Sequence, residues 1–106
     1  MTKYVLLYKA HEPMNWSEYP KEEVTKLIQA WNDWDAKLGA AHVGGGPFKF
    51  GGKSATTGGV KDADNCFTGF AIVEAESMES AIEYALQAPM VLRDTGTLEV
   101  YELMSI

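Results

Sequence analysis

Three segments of the chain have residue types that suit alternation between the two faces of a sheet, which is the pattern of β-strands. Residues 3–9 are rich in aromatic and β-branched side chains and are apolar on both faces, so they predict a central strand. Residues 67–75 and 97–103 alternate in the same way and predict two further strands, and the short apolar run at 40–43 predicts another. These segments together predict a sheet of four strands.

The third predicted strand, residues 67–75, contains a glycine. Strict alternation places Gly69 and Ala71 on one face of this strand and Thr68 on the opposite face. A glycine inside a strand often marks a bulge or a close approach by another segment. We therefore expect an irregularity or a close contact at Gly69.

Two other segments carry apolar residues at helical spacing. Pro20, with two glutamates behind it, suits the first turn of a helix, and Gly39 suits the position just after its end. The apolar stripe of this first helix consists of Val24, Leu27, Ile28, Trp31, Trp34 or Asp35, and Leu38. Ser77 is a suitable N-cap for a second helix, which we expect Pro89 to stop. The stripe of the second helix consists of Met78, Ala81, Ile82, Ala85 and Leu86.

Residues 44–66 form the least regular part of the chain. They contain seven of its ten glycines, together with Pro47 and a polar stretch at 61–65. This composition predicts an extended loop or a poorly formed hairpin. Loops of this length inside compact domains are usually functional or mobile.

The elements follow the order β-α-β, long loop, β-α-β, which is the split pattern of a ferredoxin-like α+β fold. At 106 residues the chain is expected to form a single domain, residues 1–106. If both helices lie on one face of the sheet, the apolar residues on the other face need a cover. A symmetric homodimer that packs sheet against sheet is the simplest cover.

The amino-acid composition and the net charge of the chain exclude several classes of protein. With 46% hydrophobic and 23% charged residues, the chain lies in the range of folded globular proteins. A net charge of −6 without any cluster of Lys or Arg argues against a nucleic-acid partner or an anionic membrane surface. No apolar run approaches the roughly 18 residues of a membrane span. The single cysteine fits a reducing compartment, so we expect a cytoplasmic protein.

Two histidines are the candidates for acid–base chemistry, because imidazole titrates near neutral pH. His42 lies in the short second strand beside the glycines and can face a pocket there; the alternative is a buried neutral histidine bonded to the backbone. His11 follows the first strand, where a pocket between sheet and helix opens; the alternative is an exposed loop histidine. No spacing of His, Cys, Asp or Glu matches a metal site and no segment matches a phosphate-binding loop, so we expect no cofactor.

Three aromatic side chains are candidates for the wall of a substrate pocket: Tyr8, Trp16 and Trp31. Trp16 lies in the loop before the first helix, where core packing explains it poorly, whereas core packing is sufficient to explain Trp31. Asp35 shares a helix face with Trp31 and Leu38, so its carboxylate needs a partner there. The alternative is that Asp35 borders the stripe and faces solvent. It completes the candidate catalytic set with the two histidines.

Five motifs, in order along the chain, resemble those of one known family. They are Trp31-x-x-Trp34-x-x-x-Leu38-Gly39, Val43-Gly44-Gly45-Gly46-Pro47, Thr68-Gly69-Phe70-x-Ile72-Val73-Glu74-Ala75, Ala81-Ile82-x-x-Ala85-x-x-Ala88-Pro89 and Gly96-Thr97-Leu98-Glu99-Val100-Tyr101-Glu102. The set resembles the YCII-related (DGPF-type) family and spans most of the chain. The resemblance implies a dimeric α+β barrel, in which two ferredoxin-like protomers pack sheet to sheet and each keeps a pocket between its sheet and helices.

The resemblance implies less about chemistry. A few relatives are enzymes that act on small organic molecules, with a His–Asp pair proposed as general acid and base. This chain departs from the family at both positions of that pair. Its first helix contains no histidine, and the aspartate often found before the Gly-Pro element is replaced by Gly44 or Gly45. His42, in turn, stands where relatives usually carry an apolar strand residue.

These observations favour a cofactor-independent enzyme that acts on a small aromatic or lactone-like metabolite, with His42 or His11 moving a proton and Trp16 lining the pocket. The alternative is a non-catalytic small-molecule-binding or accessory dimer domain, which has the same pocket and no acid–base role. A purely structural dimer is the third interpretation, and it would have no pocket.

Overall fold

The computed structural model describes residues 1–105 and builds them around one antiparallel sheet. The elements are β1 (Thr2–Ala10), α1 (Lys21–Leu38), β2 (His42–Pro47), β3 (Lys53–Thr56), β4 (Gly59–Asp62), β5 (Phe67–Ala75), α2 (Met78–Leu86), α3 (Pro89–Leu92) and β6 (Gly96–Glu102). The four strands of the main sheet take the order β2-β5-β1-β6. This is the ferredoxin-like α+β arrangement that the order of the elements predicts.

The alternation along β1 divides the sheet into a buried and a less buried face. Tyr4, Leu6 and Tyr8 are buried against the helices, whereas Val5 and Leu7 between them are half-buried. The helix α2 contributes small residues to the same core, since its buried positions are both alanines. A small side chain lets a helix approach the sheet closely, so the core forms a thin layer between the sheet and the helices.

The helix α1 has the predicted ends and one deeply buried residue. Gly39 follows it with a φ of 59° and donates its backbone N–H to the carbonyl of Asp35. Of the two alternatives for the centre of the stripe, Trp34 is the buried one, and its indole N–H donates to the carbonyl of Tyr84 in α2 at 2.9 Å. This bond ties the two long helices together. None of the helices in the described part of the chain is long and apolar enough to span a membrane.

The expectation that the loop begins at residue 44 is wrong, because β2 continues through the glycines to Pro47. Gly45 has a φ of 114°, and a Cβ on it would meet the carbonyl of Phe70 and lie 2.7 Å from the Cα of Ala71. The lack of a side chain therefore lets β2 approach β5. Farther along, β3 and β4 pair as an antiparallel hairpin, which is one of the two alternatives that the composition predicted for this region.

The irregularity expected at Gly69 is present as a shift in register. Tyr8 pairs with Gly69 but Lys9 pairs with Phe67, so Thr68 is the extra residue of a bulge. Thr68 is consequently buried on the helix side of the sheet. Strict alternation predicts that Thr68 lies on the opposite face of the sheet. That prediction is wrong, because the extra residue of the bulge reverses which face each earlier residue of the strand points to.

Pro89 does not simply end the second helix, as the sequence analysis expected. The helix α2 ends at Leu86, and Pro89 occupies the first turn of the separate short helix α3. Ala88 before it is extended, with φ −67° and ψ 145°, as the residue before a proline favours. The proline therefore starts a new helix, and this position suits it because it lacks the N–H that a first-turn residue leaves unpaired.

One consequence of the close approach of β2 to β5 concerns stability. Gly45→Ala should lower the free energy of unfolding by about 2–4 kcal/mol, because the added methyl group meets the backbone of β5 and φ is left-handed. Gly44→Ala is the matched control, since a Cβ there has open space and its φ is not positive. Urea unfolding followed by tryptophan fluorescence measures both variants, and equal losses would contradict the prediction.

Candidate functional site

A cavity of about 610 Å³ lies between α1, the segment at residues 11–19 and the helix side of the sheet. It has the size of a small-molecule site. All six residues singled out from the sequence border it, although they come from four different parts of the chain. They are Tyr8, His11, Trp16, Trp31, Asp35 and His42.

One wall of the cavity is a cluster of aromatic rings. Tyr8 and Trp31 are stacked, with ring centroids 4.4 Å apart and an interplanar angle of 20°. Trp34 lies beneath them and meets both edge-on, at 6.2 Å from Tyr8 and 5.5 Å from Trp31. Trp31 is half-buried, so it serves the core and the cavity together. This cluster makes one wall of the cavity apolar and aromatic.

Trp16 borders the cavity from the segment between β1 and α1. It begins a short 3₁₀ turn, Trp16–Glu18, for which the side chain of Asn15 accepts a hydrogen bond from the N–H of Ser17 at 3.1 Å. The backbone N–H of Met14 donates to the carbonyl of Asn65 and holds this segment against the turn that precedes β5. The half-buried indole is thus positioned by local capping and by one long-range hydrogen bond.

Asp35 and His42 form a pair at the end of the cavity near β2. The Asp35 Oδ1 lies 3.4 Å from the His42 Nε2, and the two side chains are 41% and 22% exposed. The ring of His42 also meets Trp34 edge-on at 6.4 Å. Burial raises the pKa of Asp35, and the nearby imidazole only partly opposes this shift. The arrangement can hold a proton and pass it to or from a ligand.

The pair is close because the chain turns sharply between its two members. The helix α1 ends at Leu38, and the 3₁₀ turn Gly39–Ala41 leads directly into His42 at the start of β2. Asp35 lies in the last turn of α1, so the turn returns the strand to the same end of the helix. Both partners are therefore fixed by secondary structure and not by a loose loop.

His11 also has a carboxylate neighbour, but at the exposed rim of the cavity. Its Nε2 lies 3.4 Å from the Oδ1 of Asp94, with side chains 53% and 97% exposed. An ion pair in such surroundings contributes little and holds neither group firmly. The two candidate histidines thus lie in different environments: His42 is enclosed beside aromatic rings and His11 is open to solvent.

Several residues of the cavity were not singled out from the sequence. Thr68 reaches it through the bulge in β5, and Met90 and Arg93 reach it through α3. Arg93 is the only arginine of the chain, and this was the one feature of the sequence that could have singled out a residue of this group. Within residues 1–105, no three His, Cys, Asp or Glu side chains are grouped so that they could hold a metal ion.

Comparisons with known proteins address the fold and the family. A sequence profile described as the YCII-related domain matches residues 2–106. A search of curated proteins finds no match. Among solved structures, 5-chloro-2-hydroxyhydroquinone dehydrochlorinase from Burkholderia phenoliruptrix AC1100, in complex with 2,5-dihydroxybenzoquinone, is similar with a TM-score of 0.63. The identity is 16%, and the match covers 98% of this chain and 95% of that one, so the likeness shows a shared fold.

The burial of Asp35 predicts how stability depends on pH. A raised pKa means that the folded chain binds the proton more tightly than the unfolded chain, so the Asp35 contribution to stability falls as pH rises between the two pKa values. Asp35→Asn should therefore unfold at the same temperature as the unchanged protein or a higher one at pH 7. Any gain in unfolding temperature should disappear at acidic pH, where the Asp35 carboxyl is protonated in both the folded and the unfolded chain.

The same substitution at Asp33 is the matched control, because Asp33 is an exposed residue of the same helix. Asp33→Asn removes the same charge from α1 without changing the cavity. Thermal unfolding of the three proteins across a pH series provides the measurement. A clearly lower midpoint for Asp35→Asn at pH 7 would show that attraction to His42 outweighs the cost of burial.

Proposed function

The chain belongs to the YCII-related family, and on that premise we propose that it is a cofactor-independent enzyme that acts on a small aromatic or lactone-like molecule. The observation that carries the proposal is the Asp35–His42 pair, with 3.4 Å between its nearest atoms, beside an aromatic wall of the cavity. The lone cysteine supports a cytoplasmic location.

In this proposal His42 is the group that moves the proton. Asp35 contacts its Nε2 and keeps the ring in one orientation. The other ring nitrogen then exchanges a proton with the ligand. Trp34 borders the imidazole and limits its rotation. The reaction class that fits is proton transfer at a carbon or oxygen of the bound molecule.

The pair also offers an explanation of how this chain departs from its relatives. The resemblance implies a histidine on the first helix and an aspartate before the Gly-Pro element of the second strand. Here the carboxylate, Asp35, lies on the helix, and the imidazole, His42, lies on the strand. We propose that the two partners have exchanged elements while the pair itself has been kept.

The substrate class is supported by the shape of the wall and by the neighbour of similar fold. The rings of Tyr8 and Trp31 stack on each other and make one wall of the cavity aromatic, and a planar ring can pack against such a wall. The similar dehydrochlorinase is described as acting on a chlorinated hydroxyhydroquinone and as binding a dihydroxybenzoquinone. Both molecules are planar rings that carry oxygen, so this class is the first to test on the present protein.

Turnover should depend on His42. With 5-chloro-2-hydroxyhydroquinone and a panel of phenols, quinones and lactones, conversion is followed by liquid chromatography with mass detection. For any compound that is converted, His42→Gln should reduce the rate by about 10²–10⁴-fold, because the general acid or base is removed.

His11→Gln is measured in parallel, because His11 has a carboxylate neighbour of its own at the cavity rim. A larger loss of rate in His11→Gln than in His42→Gln would show that His11, at the rim of the cavity, transfers the proton. Binding of the panel without any new product, judged by retention time as well as by mass because proton transfer alone leaves the mass unchanged, would instead support the non-catalytic small-molecule-binding domain. The absence of both binding and conversion would contradict both of these functions, and a purely structural dimer is already disfavoured because it predicts a chain without a pocket.

We also propose that two copies of the chain pack through the face of the sheet that the helices leave open. Val5 and Ile72 lie opposite each other near the middle of that face, and Tyr101, the other neighbour of Val5, is 59% exposed. Lys3 and Glu74 form a charged cross-strand pair toward one end. An apolar centre with charges at its edge is the usual composition of a protein interface.

Light scattering at micromolar concentration should give the mass of two chains. Val5→Lys should give the mass of one, because a symmetric interface places the new charge at its centre twice. Leu92→Lys is the matched control on the helix side, where Leu92 is 72% exposed. A monomeric unchanged protein, or a dimeric Val5→Lys variant, would exclude this interface.

A further inference from the structure

The hydroxyl of Tyr8 belongs to the cavity wall and has no hydrogen-bond partner among residues 1–105. Tyr8 is 8% exposed, and the hydrogen bonds among residues 1–105 include none to its hydroxyl. No fully buried polar side-chain atom in that range lacks a partner, so the Tyr8 oxygen must reach accessible space. The space that Tyr8 borders is the cavity. The hydroxyl is therefore available to a molecule bound there.

The position of this hydroxyl is fixed although no described residue forms a hydrogen bond with it. The ring is stacked on Trp31 at 4.4 Å and meets Trp34 edge-on, and its backbone lies in the central strand between β5 and β6. A side chain held on two sides loses little further freedom when it binds a ligand. Such a preorganised donor is an effective recognition group in a largely apolar cavity.

Its surroundings also fix its protonation state. Burial, together with the nearby carboxylate of Asp35, raises the pKa of Tyr8 well above its usual range. The phenol thus stays neutral at physiological pH and keeps its proton. A neutral phenol beside a carboxylate acts as a hydrogen-bond donor, and its natural partner is an oxygen atom.

We propose that the Tyr8 hydroxyl binds an oxygen atom of the ligand, so that the cavity selects planar rings bearing a hydroxyl, carbonyl or enolate oxygen over rings without one. The ring of the ligand lies in the aromatic cavity, and its oxygen accepts from Tyr8 while its neighbouring atoms face the Asp35–His42 pair. This inference rests on the proposed function, because it assumes that the cavity binds a small ring. It adds the residue that determines which rings bind.

The test uses two probes that differ by one hydroxyl group, 4-chlorophenol and chlorobenzene. Their dissociation constants are measured by NMR titration for the unchanged protein and for Tyr8→Phe, which keeps the stacked ring. The unchanged protein should bind 4-chlorophenol roughly tenfold more tightly than chlorobenzene, because of one additional hydrogen bond. Tyr8→Phe should bind the two probes about equally and should bind chlorobenzene as the unchanged protein does.

Tyr4→Phe is the matched control, because Tyr4 is a buried tyrosine on the same face of the same strand but does not border the cavity. It should retain the preference for 4-chlorophenol. If Tyr8→Phe also retains the preference, Tyr8 is not the oxygen-binding group, while the proposed function stands. If the unchanged protein binds neither probe nor any other ring of the panel, the ring-binding cavity and this inference fail together. Thermal unfolding confirms that both variants are folded.

Discussion

The buried indole of Trp34 is the contact on which both the core and the cavity depend. It is 3% exposed, and its N–H donates to the carbonyl of Tyr84, which joins α1 to α2. The same ring meets Tyr8, Trp31 and His42 edge-on, so it also connects α1 to β1 and β2. An indole buries roughly 150–250 Å², more than almost any other side chain, and its one polar atom is paired. This contact fixes the rotation of α1 about its own axis.

The rotation of α1 determines where the candidate catalytic residues lie. With Trp34 directed into the core, Trp31 falls one turn earlier on the same side and forms the wall of the cavity. Asp35 is the next residue after Trp34, about 100° around the helix, and so lies at the border between core and solvent. The turn Gly39–Ala41 then returns the chain to this border at His42. A carboxylate and an imidazole seven positions apart in sequence thus become neighbours.

Hydrophobic periodicity and capping residues were sufficient to predict the elements whose structure depends mainly on neighbouring residues. The strand Phe67–Ala75 has the predicted bounds, and the fold class follows from the order of the elements. Local patterns failed where a distant segment decides. Gly45 belongs to a strand because β5 lies against it, Thr68 is turned inward by a bulge in the pairing of β5 with β1, and Pro89 starts a helix that packs beside β6. The same holds for the cavity. The residues singled out from the sequence border it, but Arg93 reaches it only because α3, which the sequence did not predict, precedes it.

The polar groups of the cavity are under-satisfied within the protein, which distinguishes them from the polar groups of the core. The indole N–H of Trp34 has a partner, whereas the hydroxyl of Tyr8 has none among the described residues and Asp35 is held in surroundings that disfavour its charge. Partial burial of a hydroxyl without a protein partner costs free energy, and so does partial burial of the Asp35 charge, which the contact with His42 only partly offsets. A bound ligand that accepts from Tyr8 and exchanges a proton with His42 would supply the missing interactions. The free energy that the fold loses at these positions then contributes to binding.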